Sequence, residues 1–206
     1  IPDMIVGTSA GAINGMFLAI DPTVQQSEQG AGLWRDAGAR KLFTNSTSRT
    51  LYNAVRGRNY LADNSKLKAY MRTVAPRHVR TFGDLAVPLY VTIAHLFTQS
   101  LFAYGEDKSA DVFDAVILSA AVPGFFPPKS HRGELFTDGG TASNMPVDVA
   151  IGYGATEIWA IDLACQPDPK HAKTVRGAFA ISGFCGVYLL YQKTLRELEL
   201  AVDTAG

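Results

Sequence analysis

The pattern of apolar and polar residues predicts that the chain opens with a strand followed directly by a helix. Residues 1–6 contain the apolar run Met4-Ile5-Val6, which is typical of a short buried strand. Apolar residues then recur at helical spacing over 10–19, and Asp21-Pro22 breaks that helix. The transition between the two elements falls within a few residues around Ser9.

The rest of the chain continues this alternation. We expect Asn64 or Ser65 to cap a helix that Pro76 stops. We expect Ser109 to cap a second helix, which Pro123 ends. Strands are predicted over 89–94, 100–104, 134–137 and 158–162, further helices over 147–153 and 186–202, and short helices and loops over 23–62. Strands that alternate with helices predict a layered α/β fold, here as a single domain over 1–206.

Composition excludes several classes of protein. With 206 residues, 47% hydrophobic and 18% charged, the chain can bury the core of one globular domain. Its 19 basic and 19 acidic side chains cancel, which disfavours a nucleic-acid partner. Cys165 and Cys185 stand among apolar residues and are typical of reduced structural thiols. No apolar run reaches the length of about 18 residues that a membrane-spanning helix needs.

The segment Gly7-Thr8-Ser9-Ala10-Gly11 places a serine where the predicted strand gives way to the helix. A nucleophilic serine must stand clear of its sheet, which requires a sharp, strained turn between strand and helix. Gly7 and Gly11 are expected to remove side chains that would collide across this turn, and Ala10 keeps the approach open. The helix beginning at Ala10 directs its positive dipole end at the serine, which favours developing negative charge. The alternative is a glycine-rich packing turn without chemistry.

Serine is inert without a base, and Asp138 is the leading candidate for one. It ends the predicted strand 134–137 and precedes Gly139 and Gly140, which let the backbone crowd the nucleophile. Burial in a partly dry cleft would raise the pKa of this aspartate toward the range of a working base. The alternative is a tight turn, for which Asp-Gly-Gly is equally suited.

Three motifs, in this order, resemble those of the patatin-like phospholipase family. They are Gly7-Thr8-Ser9-Ala10-Gly11, the segment SAAVPGFFPP over 119–128, and Asp138-Gly139-Gly140. The resemblance extends from residue 1 to about residue 163, which leaves 164–206 as a helical C-terminal part. It implies a three-layer α/β/α fold with a mostly parallel central sheet. It also implies hydrolysis of lipid acyl esters through a Ser–Asp dyad, with no cofactor and no metal.

Carried onto this sequence, the resemblance makes Ser9 the nucleophile and Asp138 its base. An elbow or oxyanion role is implied for five small residues: Gly7, Ala10, Gly11, Gly139 and Gly140. A wall for the acyl chain would be shaped by Pro123, Phe125 and Phe126. The alternative is that Pro123 stops the helix and the two phenylalanines are core aromatics. Asn144 and Pro146 are expected to be loop scaffolding.

Two features depart from the family pattern. The family places a glycine-rich oxyanion loop, of the form G-G-G-x-R-G, on a first strand upstream of the nucleophile. Because the chain starts at Ile1, we expect it to be a truncated part of a longer enzyme, without that strand and loop. Loss of a single oxyanion donor costs about 10²–10³ in rate, so little turnover is expected without the loop. The stretch 91–99 also carries His95 and Leu96, where the family usually has more polar residues.

The sequence is compatible with three alternative functions. The order Ser9, Asp138, His171 matches that of Ser-His-Asp esterases, although His171 lies in a charged, proline-rich segment. A malonyl-type acyltransferase would pair Ser9 with a histidine such as His95. A catalytically impaired scaffold or lipid-binding protein would keep the fold without the activity.

The sequence leaves the substrate open among phospholipids, lysophospholipids, triglycerides and simple esters. Its neutral charge suits transient contact with a membrane surface and a cytoplasmic or peripheral membrane location. It does not specify an oligomeric state.

Overall fold

The computed structural model describes residues 1–39, 64–123 and 125–161, which contain five strands and five α-helices. The strands are β1 (Ile5–Gly7), β2 (Leu89–His95), β3 (Leu101–Tyr104), β4 (Lys129–His131) and β5 (Glu134–Asp138). The helices are α1 (Ala10–Ile20), α2 (Val24–Ala39), α3 (Ser65–Val74), α4 (Val112–Ser119) and α5 (Val147–Gly152). Short 3-10 turns occupy Phe82–Asp84 and Gly139–Thr141.

The sheet is mixed, and β2 is its central strand. β2 pairs in parallel with β1 and antiparallel with β3 and β5, and β4 continues the sheet beyond β5. The predicted mostly parallel sheet is therefore wrong for the described residues, where one of the four strand pairings is parallel. Short loops over 96–100 and 132–133 join β2 to β3 and β4 to β5, and loops this short connect antiparallel neighbours.

Two strands share one edge of β2 and end facing each other. β3 pairs with Val91–Ala94 and so overlaps the segments of β2 that pair with β1 and with β5. Because a strand has two edges, β1 and β5 must both lie along the edge opposite β3. On that edge Gly7, at the end of β1, lies opposite Val91, and Asp138, at the end of β5, lies opposite Ile93. The carboxyl ends of β1 and β5 therefore meet beside Thr92.

The main core lies between the sheet and helices α1 and α4. Leu89 and Val91 of β2 are fully buried in it, together with Ile13 and Phe17 of α1. Tyr90 alternates with these residues and so projects from the opposite face, where Tyr153 beside α5 stacks on it with ring centroids 3.9 Å apart. The predicted three layers and the upstream first strand stay predictions. No helix within the described ranges combines the length and the hydropathy needed to cross a bilayer.

Most predicted elements are confirmed with small shifts of their ends, but the region after residue 23 differs. Residues 24–39 form one helix of 16 residues instead of short helices and loops. Tertiary packing explains the difference, because Leu33 is buried and a Cβ at Gly30 would lie 3.2 Å from the Cβ of Phe17. Glycine thus lets α2 pack closely on α1, which outweighs its low helix propensity. The predicted elements over 40–62 and 186–202 lie outside the described residues.

The predicted caps are wrong in their chemistry. Ser109 does not cap α4: its hydroxyl donates to Asp107, and Asp111 is the cap, because its carboxylate accepts from the Asp114 N–H at 2.9 Å. Asn64 does occupy the N-cap position of α3, but its side-chain amide donates to the Ile117 carbonyl at 3.2 Å. The Asn64 side chain therefore bonds to a carbonyl of α4 instead of capping the first turn of α3.

The predicted strand over 158–162 is also wrong where it can be compared. Residues 158–161 have no strand structure, and the side chains of Trp159 and Ile161 are 87% and 83% exposed. An apolar run forms a strand only where another strand pairs with it, and no strand among the described residues does so here. Asp162 lies outside the described residues.

The two glycines that flank the β1–α1 turn differ in the space around them. A Cβ at Gly7 would lie 2.7 Å from the Cα of Ala12, whereas a Cβ at Gly11 would meet no described atom within 4 Å. The expected collision at Gly11 is therefore absent. Gly7→Ala should lower the free energy of unfolding by about 2 kcal/mol through overpacking, and Gly11→Ala should stay within about 1 kcal/mol of the parent. Urea denaturation of both variants measures this, and equal midpoints would contradict the packing argument.

Candidate active site

Ser9 stands in the turn between β1 and α1 in a backbone conformation that residues with a Cβ rarely adopt. Its φ is 55° and its ψ is −120°. The turn is closed by hydrogen bonds from the Gly11 N–H to the Thr8 carbonyl at 2.7 Å and from the Ala12 N–H to the Ser9 carbonyl at 3.0 Å. Such strain persists only where the surroundings enforce it, and it concentrates at functional sites.

Asp138, at the end of β5, faces this serine directly. The Ser9 hydroxyl donates to Oδ2 of Asp138 at 2.7 Å. The other carboxylate oxygen, Oδ1, accepts from the Gly140 N–H at 2.7 Å, and the Asp138 N–H donates to the Ala121 carbonyl at 3.1 Å. Both the backbone and the carboxylate of Asp138 are therefore fixed, with one oxygen directed at the serine.

Thr92 connects the two strand ends that carry these residues. It is fully buried, and its hydroxyl shares a hydrogen bond of 2.6 Å with the Thr8 hydroxyl. Gly139 passes so close to it that a Cβ there would lie 2.3 Å from the Thr92 Oγ1. No role was predicted for Thr92, although a polar residue in the middle of an apolar strand is a signal that could have revealed it.

Ser119, the last residue of α4, contacts the serine from another side. It is fully buried, and its Oγ accepts the Ser9 N–H at 3.0 Å. Ser119 is the first residue of the segment SAAVPGFFPP, and no role was predicted for it. Its hydrogen bond to Ser9 spans 110 positions of the chain, which no local pattern reveals.

Burial controls the ionisation of Asp138. The residue is 4% exposed, and this burial raises the pKa of its carboxyl group to about 6, while the hydrogen bonds from Ser9 and Gly140 act in the opposite direction. The expected upward shift of the pKa is thus confirmed. At neutral pH the carboxylate is mainly ionised, yet it is a stronger base than an exposed aspartate.

The predicted elbow and oxyanion residues differ in the N–H groups that they can offer. The Gly11 N–H already donates to Thr8, and the Gly140 N–H donates to Asp138. Ala10 is exposed at the start of α1, and its N–H has no acceptor among the residues described. Ala10 is therefore the available donor beside Ser9, while Gly7 and Gly139 serve close packing.

The predicted acyl-chain residues follow α4. Phe126 is 8% exposed and packs against Ala121, as a core aromatic would. Phe125 is 56% exposed, and Pro123 is also exposed. A wall for an acyl chain stays a prediction here. Asn144 lies beside the Asp-Gly-Gly turn, since a Cβ at Gly140 would be 3.1 Å from its Oδ1; Pro146 is the N-cap residue of α5.

The structure does not place His95 against the serine. Nδ1 of His95 accepts from the Thr98 N–H at 3.1 Å, and Nε2 lies 3.7 Å from a carboxylate oxygen of Glu134. His171, Cys165 and Cys185 lie outside the described residues. Within the described part of the chain, no three His, Cys, Asp or Glu side chains converge on a position that could hold a metal ion.

Comparison with known proteins supports one family. The sequence model of the family described as patatin-like phospholipase matches residues 1–151. The chain is 25% identical over 95 residues to a protein named probable lipid hydrolase 463L from Invertebrate iridescent virus 6, covering 46% of this chain and 32% of that protein. It is 27% identical over 169 residues to patatin-like phospholipase domain-containing protein 7 of Mus musculus, covering 81% of this chain and 12% of that protein.

A solved structure also matches: the crystal structure of VipD from Legionella pneumophila, with 16% identity, a TM-score of 0.38, and coverage of 78% of this chain and 42% of that one. The chain spans about a third or less of the length of the two relatives named above. The family match itself covers well over half of the chain, including Ser9, Ser119 and Asp138. The chain belongs to the patatin-like phospholipase family.

Proposed function

We propose that this protein is a serine acyl hydrolase that cleaves lipid acyl esters, with Ser9 as nucleophile and Asp138 as general base. One observation carries the proposal: Ser9, whose backbone is strained, donates a 2.7 Å hydrogen bond from its hydroxyl to the buried carboxylate of Asp138. Family membership and the names of the relatives, which include a lipid hydrolase and a phospholipase, support a lipid ester as the substrate.

The first half of the reaction forms an acyl-enzyme. Ser9 Oγ attacks the carbonyl carbon of the ester, and its proton passes to Oδ2 of Asp138 along the existing hydrogen bond. The carbonyl oxygen becomes an oxyanion, which the Ala10 N–H and the positive end of α1 stabilise. The carbon–oxygen bond to the leaving alcohol then breaks, and the alcohol takes the proton from Asp138.

The second half releases the acid. A water molecule loses a proton to Asp138 and attacks the acyl carbon, and the Ser9–acyl bond breaks as Ser9 recovers that proton. The products are a carboxylic acid and the free enzyme. A base with a pKa of about 6 can both accept and return this proton near neutral pH.

Paired substitutions test the two roles. In protein made from its complete reading frame, Ser9→Ala should abolish both labelling by a fluorophosphonate and hydrolysis of p-nitrophenyl butyrate. Asp138→Asn should lower kcat/KM by about 10²–10⁴, the contribution of a general base. A second hydroxyl–carboxylate pair, exposed at the surface, provides the controls: the Ser109 hydroxyl donates to the Asp107 carboxylate. Ser109→Ala and Asp107→Asn should retain the parent rate.

Each alternative function has its own outcome in this experiment. Loss of activity in His171→Gln would favour the Ser-His-Asp esterase, and loss in His95→Gln would favour the acyltransferase. If folded parent protein neither reacts with the fluorophosphonate nor hydrolyses the ester, the protein is a scaffold or a lipid-binding protein, and the proposal is wrong.

Activity should follow the ionisation of Asp138. Since only the carboxylate can accept the serine proton, kcat/KM should rise with pH through an apparent pKa of about 6 and level off above it. Initial rates between pH 4.5 and 8.5, with unfolding checked at each end, measure the profile. A rate independent of pH between 5 and 8 would contradict the role of Asp138 as base.

The same raised pKa predicts that ionising Asp138 costs stability. The carboxyl group ionises near 3.8 in the unfolded chain and near 6 in the folded one, so the parent loses stability as pH rises through this window. Asp138→Asn cannot titrate, and its stability relative to the parent should increase by about 2 kcal/mol between pH 4 and 7. Urea unfolding at several pH values measures this increase. Hydrogen bonds from Ser109 lower the pKa of Asp107, so Asp107→Asn should show no such rise.

A further inference from the structure

The C-terminal end of α4 and the residues directly after it contact both Ser9 and Asp138. Ser119 Oγ accepts the Ser9 N–H at 3.0 Å, and two residues later the Ala121 carbonyl accepts the Asp138 N–H at 3.1 Å. The Thr137 hydroxyl donates to the same Ala121 carbonyl at 2.7 Å. A single short segment, residues 119–121, therefore holds the backbones of the two residues that share the 2.7 Å hydrogen bond.

The hydrogen bond from Ser9 to Ser119 acts on the strained part of the site. Ser9 lies between the end of β1 and the start of α1, and its N–H has no backbone acceptor among the described residues. Ser119 is fully buried and supplies the one acceptor this N–H has among the described residues. Without that hydroxyl, the N–H would be left unpaired and a relaxed backbone conformation would gain in population.

We propose that Ser119 is a positioning residue for the proposed hydrolase: its hydroxyl holds the Ser9 backbone in the conformation that directs Oγ at Asp138. It touches neither the substrate nor the transferred proton, and acts only through the Ser9 backbone. Because the Ser9 N–H donates to Ser119, it is not available to bind an oxyanion. The Ala10 N–H is then the donor beside the serine. The catalytic part of this inference rests on the proposed function.

Three substitutions at this position separate positioning from simple packing. Ser119→Ala removes the acceptor, Ser119→Cys fills the space with a weak acceptor, and Ser119→Thr retains a hydroxyl. The matched control is Thr137→Val on β5, which removes another buried hydroxyl that contacts residues 119–121, while Ala121 keeps its bond to the Asp138 N–H. Urea unfolding of each variant records how much stability the change costs.

Kinetics of ester hydrolysis and fluorophosphonate labelling give the first readout. Ser119→Ala should lower kcat and the maximal labelling rate about tenfold or more, as expected for loss of a buried hydrogen bond that holds the nucleophile. KM should stay within about twofold. The apparent pKa near 6 should rise, because the Ser9 hydroxyl, whose hydrogen bond lowers the pKa of Asp138, is held against the carboxylate less of the time. Ser119→Thr should recover most of the rate, Ser119→Cys should be intermediate, and Thr137→Val should retain it.

Hydrogen exchange of the Ser9 amide, followed by NMR in the full-length protein, gives a readout that needs no activity. Exchange should be at least about tenfold faster in Ser119→Ala than in the parent, and not in Thr137→Val. Parent-like exchange or a parent-like kcat in Ser119→Ala would overturn the inference, as would an equal loss of rate in Thr137→Val. If the parent itself is unreactive, the proposed function fails and the catalytic role of Ser119 fails with it, whatever the exchange result.

Discussion

The arrangement of the site depends on one constraint of strand pairing: β1 and β5 share an edge of β2 and run toward each other. Parallel pairing puts the carboxyl end of β1 opposite Val91, and antiparallel pairing puts the carboxyl end of β5 opposite Ile93. The segments that follow β1 and β5 must therefore turn away from the sheet at nearly the same point, beside Thr92. Ser9 and Asp138, which lie 129 positions apart in the sequence, come within hydrogen-bonding distance as a consequence.

Close backbone packing is what allows these ends to meet. Gly7 and Gly139 lie where any side chain would collide with backbone atoms of Ala12 or of Thr92. The hydrogen bond between the Thr8 and Thr92 hydroxyls then satisfies polar groups that the meeting point buries. Glycine and threonine at these positions are thus requirements of packing, and the chemistry proposed for the site depends on them.

Burial and reactivity are coupled at Asp138. Its carboxylate is buried against Ser9, away from water. This burial destabilises the charged form and raises the pKa to about 6. A carboxylate held in this way contributes less to stability than a neutral group of the same shape would. The fold tolerates this cost because hydrogen bonds from Ser9 and from the Gly140 N–H pair both carboxylate oxygens.

Local patterns in the sequence were sufficient to predict the helices α1, α3 and α4, most strands, and the pairing of Ser9 with Asp138. The helices and strands follow from apolar spacing within a few residues, and Ser9 was paired with Asp138 because each stands in a short motif that resembles those of the family. Tertiary contacts decided the rest: the mixed sheet, the long α2 packed on α1 through Gly30, the cap at Asp111 and the absence of a strand at 158–161. The roles of Thr92 and Ser119 were equally hidden, because each depends on a hydrogen bond to a residue far away in the chain. The sequence by itself marked Ser9 and Asp138 as the candidate catalytic residues. The tertiary structure decided what holds them together, because strand register and long-range hydrogen bonds leave no local pattern in the sequence.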